Sequence, residues 1–506
     1  MTRSFYTLFS TICISYILLT SCALGRVSVH FLPNVTDHKK VFKCDTVTGC
    51  TYAAKAFEEA KNYELPPVEK WVSPAFLGES KNLDEFFEKS KTTAFVVVRN
   101  DSILYERYMK DQSKEDQRVV FSITKSFVAT LAHIAASEGY LDLNQPVADF
   151  IPEFGEDARK DIRISHLLNM TSGLDWMDHK NVIKLGKLYY TANQYKFIAR
   201  YDKLAHEPGT HFSYKSISTQ ILGLCLEKAT GQKLSAYLHD KIWDPLEMEY
   251  NALFTVDSKK NKNNRFFGGL AVTGRDLLRF GKLLLHKGEW RGQQLLPKSF
   301  IEHLYSRKNR MEGSWWGYAS CFWRNGYLLD DHLEDTDFYA AGYGGQFLYV
   351  NPKHNLLILR MGTAETGRWS LNLGRLANLI GKGENDLTAK KYNFYDQFEG
   401  VYKMEDGKTF QLEYLGPVGD HGRKRWVWRR DLLSTSRTKR IDEVYQFDGR
   451  SAGHKKGSHR MLLMFDIKDG KVEGLYYDDC TSVEPKYLKK TSQVPLVENN
   501  DLSHRK

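Results

Sequence analysis

Several protein classes are excluded by what this sequence lacks. Seven cysteines in 506 residues are too few for a disulfide scaffold, and none stands in a CxxC pair, so structural zinc of that kind is not expected. There is no HExxH motif, and His206 and His211 are not at helical ligand spacing, so no metal site is expected. The glycine-rich pieces match neither GxGxxG nor GxxxxGK[ST], which leaves no nucleotide site and no cofactor to argue for. Beyond the N-terminus no segment holds the roughly 18 consecutive apolar residues of a membrane span. The net charge of +10 is modest for this length and does not point to nucleic acid. No internal repeat is found.

What remains is ordinary globular material. Hydrophobic residues make up 42% and charged residues 26%, which excludes a disordered or coiled-coil chain and leaves ample apolar material for a core. The length implies at least two domains.

Residues 1–21 begin Met-Thr-Arg, run through apolar Ile17, Leu18 and Leu19, and contain no acid. That is the pattern of a secretory signal. Leu19-Thr20-Ser21-Cys22-Ala23 resembles the lipobox of bacterial lipoproteins, whose cysteine is lipidated and becomes the new N-terminus. The resemblance implies an exported protein of the bacterial cell envelope or periplasm, anchored to the membrane at Cys22. An ordinary signal peptide that happens to hold a cysteine is the plainer alternative. In an oxidising compartment Cys44 and Cys50 are close enough in sequence to close a small loop. Cys225, Cys321 and Cys480 stand alone in apolar or strand-like surroundings and read as buried, inert thiols.

Four regions follow: the signal at 1–21, a tether or extension packed on the main domain at 22–85, a main domain at 86–388, and a small β-rich domain at 389–506. The extension holds an amphipathic stretch around Tyr52–Tyr63 and stops at Pro66-Pro67. Ala94–Val98 and Ile103–Glu106 read as strands joined by a tight turn. Helical spacing then dominates, at Ser122–Ser137, Ile164–Met170, Asn181–Arg200, Ser216–Thr230 and Thr273–His286, with Gly139, Gly231 and Lys287-Gly288 as stops. Strand-like runs return at Phe347–Val350 and Leu356–Met361. Helices between an early and a late hairpin predict one antiparallel sheet assembled from both ends of the domain. After about residue 390, short strand-like pieces alternate with turns (Phe398–Tyr402, Thr409–Tyr414, Arg425–Trp428, Met461–Ile467, Val472–Tyr477). Residues 421–460 hold 12 Lys or Arg against 4 Asp or Glu, which reads as a solvated hairpin face or, alternatively, a patch for anionic envelope material.

Ser122-Ile123-Thr124-Lys125 opens the best amphipathic helix. Three residues apart, Ser and Lys share a helix face, so an amine reaches the hydroxyl that it must activate. A helix N-terminus adds free N–H groups that suit an oxyanion. The pattern alone says little, because Ser436-Arg437-Thr438-Lys439 and Ser503-His504-Arg505-Lys506 match it too. Context separates them. Tyr214-Lys215-Ser216 lies downstream of Ser122 and is followed by a helix; Gly342-Tyr343-Gly344-Gly345-Gln346 precedes a late strand.

Ser-x-x-Lys, Tyr-x-Ser and a Gly-rich strand start, in that order, resemble the serine β-lactamase and penicillin-binding-protein superfamily, specifically its class C β-lactamase-like hydrolases. Ile164–Leu174, Gly268–Leu277 with its Gly-Gly-Leu and Asp-Leu, Ala229–Gln232 and Pro245–Met248 are similar to family segments, so the resemblance spans roughly residues 90–385. It implies an α/β fold of α+β type, in which helices flank an antiparallel sheet and a mostly helical subdomain is inserted. It further implies a cofactor-free serine hydrolase acting on a small ester or amide through an acyl-enzyme, closest in its Gly-rich segment to the 6-aminohexanoate-dimer hydrolase and carboxylesterase branch. A β-lactamase or D-amino-acid peptidase is the same-chemistry alternative; a non-catalytic binder of envelope fragments is the alternative of another class. Carried over by position, Ser122 is the nucleophile, Lys125 its proton acceptor and Tyr214 the partner base. The backbone N–H groups of Ser122 and Tyr343 form the oxyanion hole, and Ser216, Gly342 and Gly344 contact substrate. His166 and Asp175 read as structural.

Overall fold

The computed structural model describes residues 42–59, 63–72, 77, 79–109, 112–176, 178, 182–306, 317–324, 336–364, 369–382 and six later strands. The chain divides into two compact units, the larger lying within residues up to Gly381 and the smaller made chiefly of the strands beyond Lys382. Residues 1–21, read above as a signal, and Cys22 lie outside the described residues.

The larger unit begins with β1 (Lys43–Val47) and β2 (Glu58–Glu59); α1 (Leu83–Lys89) then leads into β3 (Thr92–Arg99) and β4 (Ser102–Tyr108). Next come β5 (Arg118–Val119), α2 (Ile123–Ser137), α3 (Ile164–Leu168), α4 (Val182–Tyr190), α5 (Gln194–Ala199), α6 (Ser216–Thr230) and α7 (Leu234–Leu238). After β6 (Ala252–Val256), β7 (Leu270–Val272) and α8 (Gly274–Leu285) there is a short hairpin, β8 (Glu289–Trp290) with β9 (Gln293–Gln294), and then α9 (Lys298–Tyr305). The unit closes with β10 (Gly317–Ala319), β11 (Phe322–Arg324), β12 (Phe338–Gly342), β13 (Gln346–Asn351), β14 (Leu356–Gly362) and α10 (Trp369–Lys382).

The early and late hairpins join as the sequence predicts. The main sheet has the order β10-β11-β12-β13-β14-β3-β4-β2, and the seam between the chain's two ends is the antiparallel β14·β3 pair, with Ile358 opposite Val97. One pair departs from the antiparallel expectation: β2 runs parallel to β4. The β3–β4 turn places Asn100 (φ 49°) and Asp101 (φ 61°) in the left-handed region, the two-residue type I′ geometry that Asn and Asp tolerate. Ala94–Val98 is apolar without alternation because both faces of β3 are covered. On one face Phe95 packs against Phe87 of α1 (4.9 Å) and Trp369 of α10 (6.2 Å). On the other, Gly274 and Gly281 let α8 approach Leu348, Leu357 and Leu359.

Helix α2 is buried from Ile123 to Ala135, and Phe127 stacks on Phe280 of α8 at 4.0 Å. A second sheet, β1-β6-β7-β5, ties the N-terminal extension into the fold through Lys43–Val47 against Ala252–Val256. It also anchors the approach to α2, since Val120 N donates to Leu270 O at 3.0 Å.

Three local readings can be set against the structure. The stretch Asn181–Arg200 is two helices, α4 and α5, because the Asn193 side chain accepts from Lys196 N (2.8 Å) and starts a new helix there. No helix forms among the described residues of Tyr52–Tyr63, where Ala54 N bonds the Glu247 side chain and Glu58–Glu59 pairs with β4. Tertiary pairing overrides a weak local preference that a short exposed helix cannot sustain. No disulfide joins Cys44 and Cys50. Cys225 and Cys321 are buried and burial raises both thiols' pKa values, as expected of inert cysteines; Cys480 lies outside the described residues.

The smaller unit is a six-stranded antiparallel sheet of β15 (Gly400–Lys403), β16 (Thr409–Val418), β17 (Arg423–Arg430), β18 (Leu462–Lys468), β19 (Lys471–Asp478) and β20 (Lys486–Ser492), in the order β17-β16-β15-β20-β19-β18. The lysine-rich β20 has too few apolar residues to be read as a strand from sequence. Of the basic stretch 421–460, only β17 lies within the described residues.

Candidate active site

Ser122 sits at the N-cap of α2, held there by a backbone that L-residues rarely adopt. Phe121, immediately before it, has φ 44° and is buried, so the chain turns sharply out of β5 and presents Ser122 at the head of the helix. One turn along, Lys125 is 1% exposed, and its Nζ donates to Ser122 Oγ at 2.8 Å and to Phe267 O at 2.6 Å. Burial pushes its ammonium down to about 8, with the Asp178 carboxylate and the Cys321 thiol opposing the shift. A lysine so placed has a substantial neutral fraction near physiological pH and lies within proton-transfer distance of the hydroxyl.

Tyr214 completes the cluster. Lys125 Nζ lies 5.1 Å from the centroid of its ring, which stacks on Trp323 (5.2 Å) and meets Tyr318 edge-on (6.1 Å). Both aromatic partners flank the β10–β11 turn, whose Cys321 carbonyl accepts from Ser126 Oγ of α2 at 2.8 Å. The helix that carries the serine therefore also fixes the aromatic wall behind Tyr214.

Ser216 is differently engaged from what the resemblance implies. Its hydroxyl donates to Asp178 Oδ2 at 2.6 Å, and its backbone N–H reaches both Asp178 oxygens at 3.1 Å. That hydroxyl proton is committed to a carboxylate rather than free for a substrate amide.

Gly342, Tyr343 and Gly344 lie where β12 ends and the chain turns into β13. A Cβ on Gly342 would overlap the Val120 carbonyl, so only glycine lets this strand end approach the segment leading into Ser122. Gly344 and Gly345 have φ 77° and 79°. Tyr343 is 50% exposed, and its ring meets Phe121 edge-on at 5.5 Å. The two contacts, Gly342 on Val120 and Tyr343 on Phe121, bring the end of β12 beside the segment leading into Ser122.

Ser122 and Lys125, on one helical turn, are thus joined by Tyr214 from a distant segment, with Gly342 and Tyr343 alongside. Sequence reasoning missed three features: Asp178, the Phe267 carbonyl and the positive φ of Phe121. Phe267 directly precedes the Gly268-Gly269-Leu270 segment already singled out, so a signal stood beside it. Asp178 and Phe121 carried none. His166 accepts from Arg163 N at 3.2 Å, and Asp175 faces Lys184 at 3.9 Å. No group of three or more potential metal ligands occurs among the described residues.

Residues 81–377 match the Beta-lactamase family. The chain belongs to the Beta-lactamase family. Within it, a 6-aminohexanoate-dimer hydrolase of Paenarthrobacter ureafaciens is 24% identical over 310 residues, which span 57% of this chain and 77% of that protein. A solved structure from Bacillus anthracis, named for 6-aminohexanoate-dimer hydrolase, superimposes with a TM-score of 0.56 at 24% identity, covering 68% of this chain and 93% of its own. The octameric penicillin-binding protein homologue of Pyrococcus abyssi gives 0.50 at 18% identity, over 80% and 97%. The structural likenesses show the Beta-lactamase-family fold, and the chain is a hydrolase of that family.

Proposed function

We propose that this protein is a serine hydrolase that cleaves a small ester or amide through an acyl-enzyme on Ser122. The observation that carries the reading is the buried Lys125 amine, 2.8 Å from Ser122 Oγ and pushed down to about 8 by burial. In this reading Ser122 Oγ attacks the substrate carbonyl carbon while its proton passes to Lys125 Nζ. The backbone N–H groups of Ser122 and Tyr343 receive the oxyanion. Collapse breaks the bond to the leaving group, which takes its proton through the Tyr214 hydroxyl as Lys125 returns one to the tyrosine. Water then attacks the acyl-enzyme by the same relay and frees the acid. No cofactor enters.

The relative named for the 6-aminohexanoate dimer supports an amide or ester without a β-lactam ring as substrate. Export to the cell envelope, with a membrane tether at Cys22, is part of the same proposal and rests on the signal-like 1–21 segment. The experiment is turnover of a panel by the purified protein: p-nitrophenyl acetate and butyrate, a cephalosporin, a D-Ala dipeptide and a linear amide oligomer. Hydrolysis of none of these, together with no labelling by a fluorophosphonate, would leave the binding-protein alternative.

A further inference from the structure

The Tyr214-Lys215-Ser216 turn is held by a residue from a distant segment. Three groups converge on the Asp178 carboxylate: Ser216 Oγ at 2.6 Å, Ser216 N at 3.1 Å to each oxygen, and Trp176 Nε1 at 2.6 Å. Trp176 is 1% exposed and packs edge-on against Phe197 and Tyr201, so one side of this clamp is rigid. On the other side, Ser216 opens the 15-residue α6, where its N–H is one of the helix's unpaired donors and the helix dipole is positive. Ser216 is two residues from Tyr214, so fixing one fixes the other.

The carboxylate also matters as a charge. Lys125 is faced by Ser122 on its own helix, by Tyr214 ahead of α6, by Cys321 from the β10–β11 turn and by Asp178. Burial pushes the Cys321 thiol up to about 11 and raises Tyr189 and Tyr318, both buried and electrostatically coupled to Asp178. Lys215, 2% exposed, feels Asp175 and Asp178 as Lys125 feels Asp178. The Asp178 carboxylate thus opposes the fall that burial imposes on both Lys125 and Lys215.

We propose that Asp178 is a positioning residue for the reaction at Ser122: it clamps Ser216 and Trp176 to hold Tyr214 in place and sets the charge that Lys125 faces. The inference rests on the acyl-enzyme reading. It assigns Ser216 to the clamp rather than to substrate.

The test is the rate of Ser122 modification by a fluorophosphonate as a function of pH, in the full-length protein and its variants, with circular dichroism as the folding control. In wild type, labelling is expected to rise with pH about a midpoint near the value set by Lys125. Asp178→Asn keeps the shape and removes the charge. Its midpoint should fall by about half a unit or more, roughly a threefold gain in reactive fraction at low pH, while a displaced Tyr214 lowers the plateau about tenfold. Asp178→Glu, which keeps the charge, should retain the wild-type midpoint. Should Asp178→Asn not fold, Ser216→Ala tests the clamp alone: a lowered plateau with an unchanged midpoint supports it, and an unchanged plateau overturns it. A wild-type midpoint in folded Asp178→Asn also overturns the inference. Absence of Ser122 labelling in wild type would instead overturn the acyl-enzyme reading.

Discussion

Arg360 is buried beneath the turn that contains Gly345: its Nη1 donates to Gly345 O at 2.5 Å, and its Nη2 to Ser90 O at 2.6 Å. The guanidinium also covers the Trp369 ring at 4.5 Å, and a Cβ on Gly345 would collide with it. Related β-lactamases and carboxypeptidases hold a substrate carboxylate with a basic residue at the first position of the third motif. With Gly342 taken as that motif's glycine, the position falls on Ala340, which is 1% exposed in β12. Arg360 of β14 is occupied with backbone carbonyls, and Arg368 lies outside the described residues.

Substrates that rely on a carboxylate contact should therefore be poor. A charge-assisted hydrogen bond is worth about 1.5–3 kcal/mol, roughly a tenfold to hundredfold preference. The ratio of kcat/KM for p-nitrophenyl butyrate to that for nitrocefin is expected to favour the ester by at least that margin. A preference for nitrocefin would mean that the missing cation is supplied elsewhere.

The Lys125 amine must be neutral to accept the Ser122 proton. Burial holds it at about 8, below its ordinary value of 10.5, so the reactive fraction grows as pH rises through about 8 and saturates above. Single-turnover acylation by a neutral ester should follow that rise. Lys125→Arg, which stays charged throughout, should lose about a hundredfold or more at every pH. Acylation that stays flat between about pH 6 and 9 would exclude Lys125 as the acceptor.

The parts of the site legible in sequence were those carried by local patterns. Ser122 and Lys125 share one helical turn, Tyr214 stands just before the periodic helix α6, and Gly342 opens the Gly-rich run before β13. Early and late hairpins announced a sheet closed from both ends, because β3 and β14 are buried on both faces and carry the apolar runs Ala94–Val98 and Leu356–Leu359. What escaped was long-range. Asp178 sits in a loop with no periodicity and acquires its role only by meeting Ser216, 38 residues away. Phe121's φ of 44° answers a backbone demand at the mouth of α2 that its side chain does not reveal. The break between α4 and α5 depended on one side-chain cap at Asn193, which apolar spacing does not register.

A lipid anchor at Cys22 makes a separate expectation. One acyl chain binds a bilayer only marginally, whereas the two or three of a bacterial lipoprotein anchor it stably. Cys22→Ser should move the protein from the membrane pellet to the soluble fraction in a bacterial expression host. Unchanged partitioning would leave the ordinary signal-peptide reading, or another membrane-binding surface.

The central claim is a covalent intermediate on Ser122, and intact-mass analysis with peptide mapping after fluorophosphonate treatment measures it directly. Wild type should gain one adduct, mapped to Ser122. Ser436→Ala, which alters an accidental match to the same short pattern, should label as wild type does. Ser122→Ala should fold normally, take up no label, and lose several orders of magnitude in turnover. An adduct on another serine, or Ser122→Ala that still turns over ester at the wild-type rate, would contradict the acyl-enzyme.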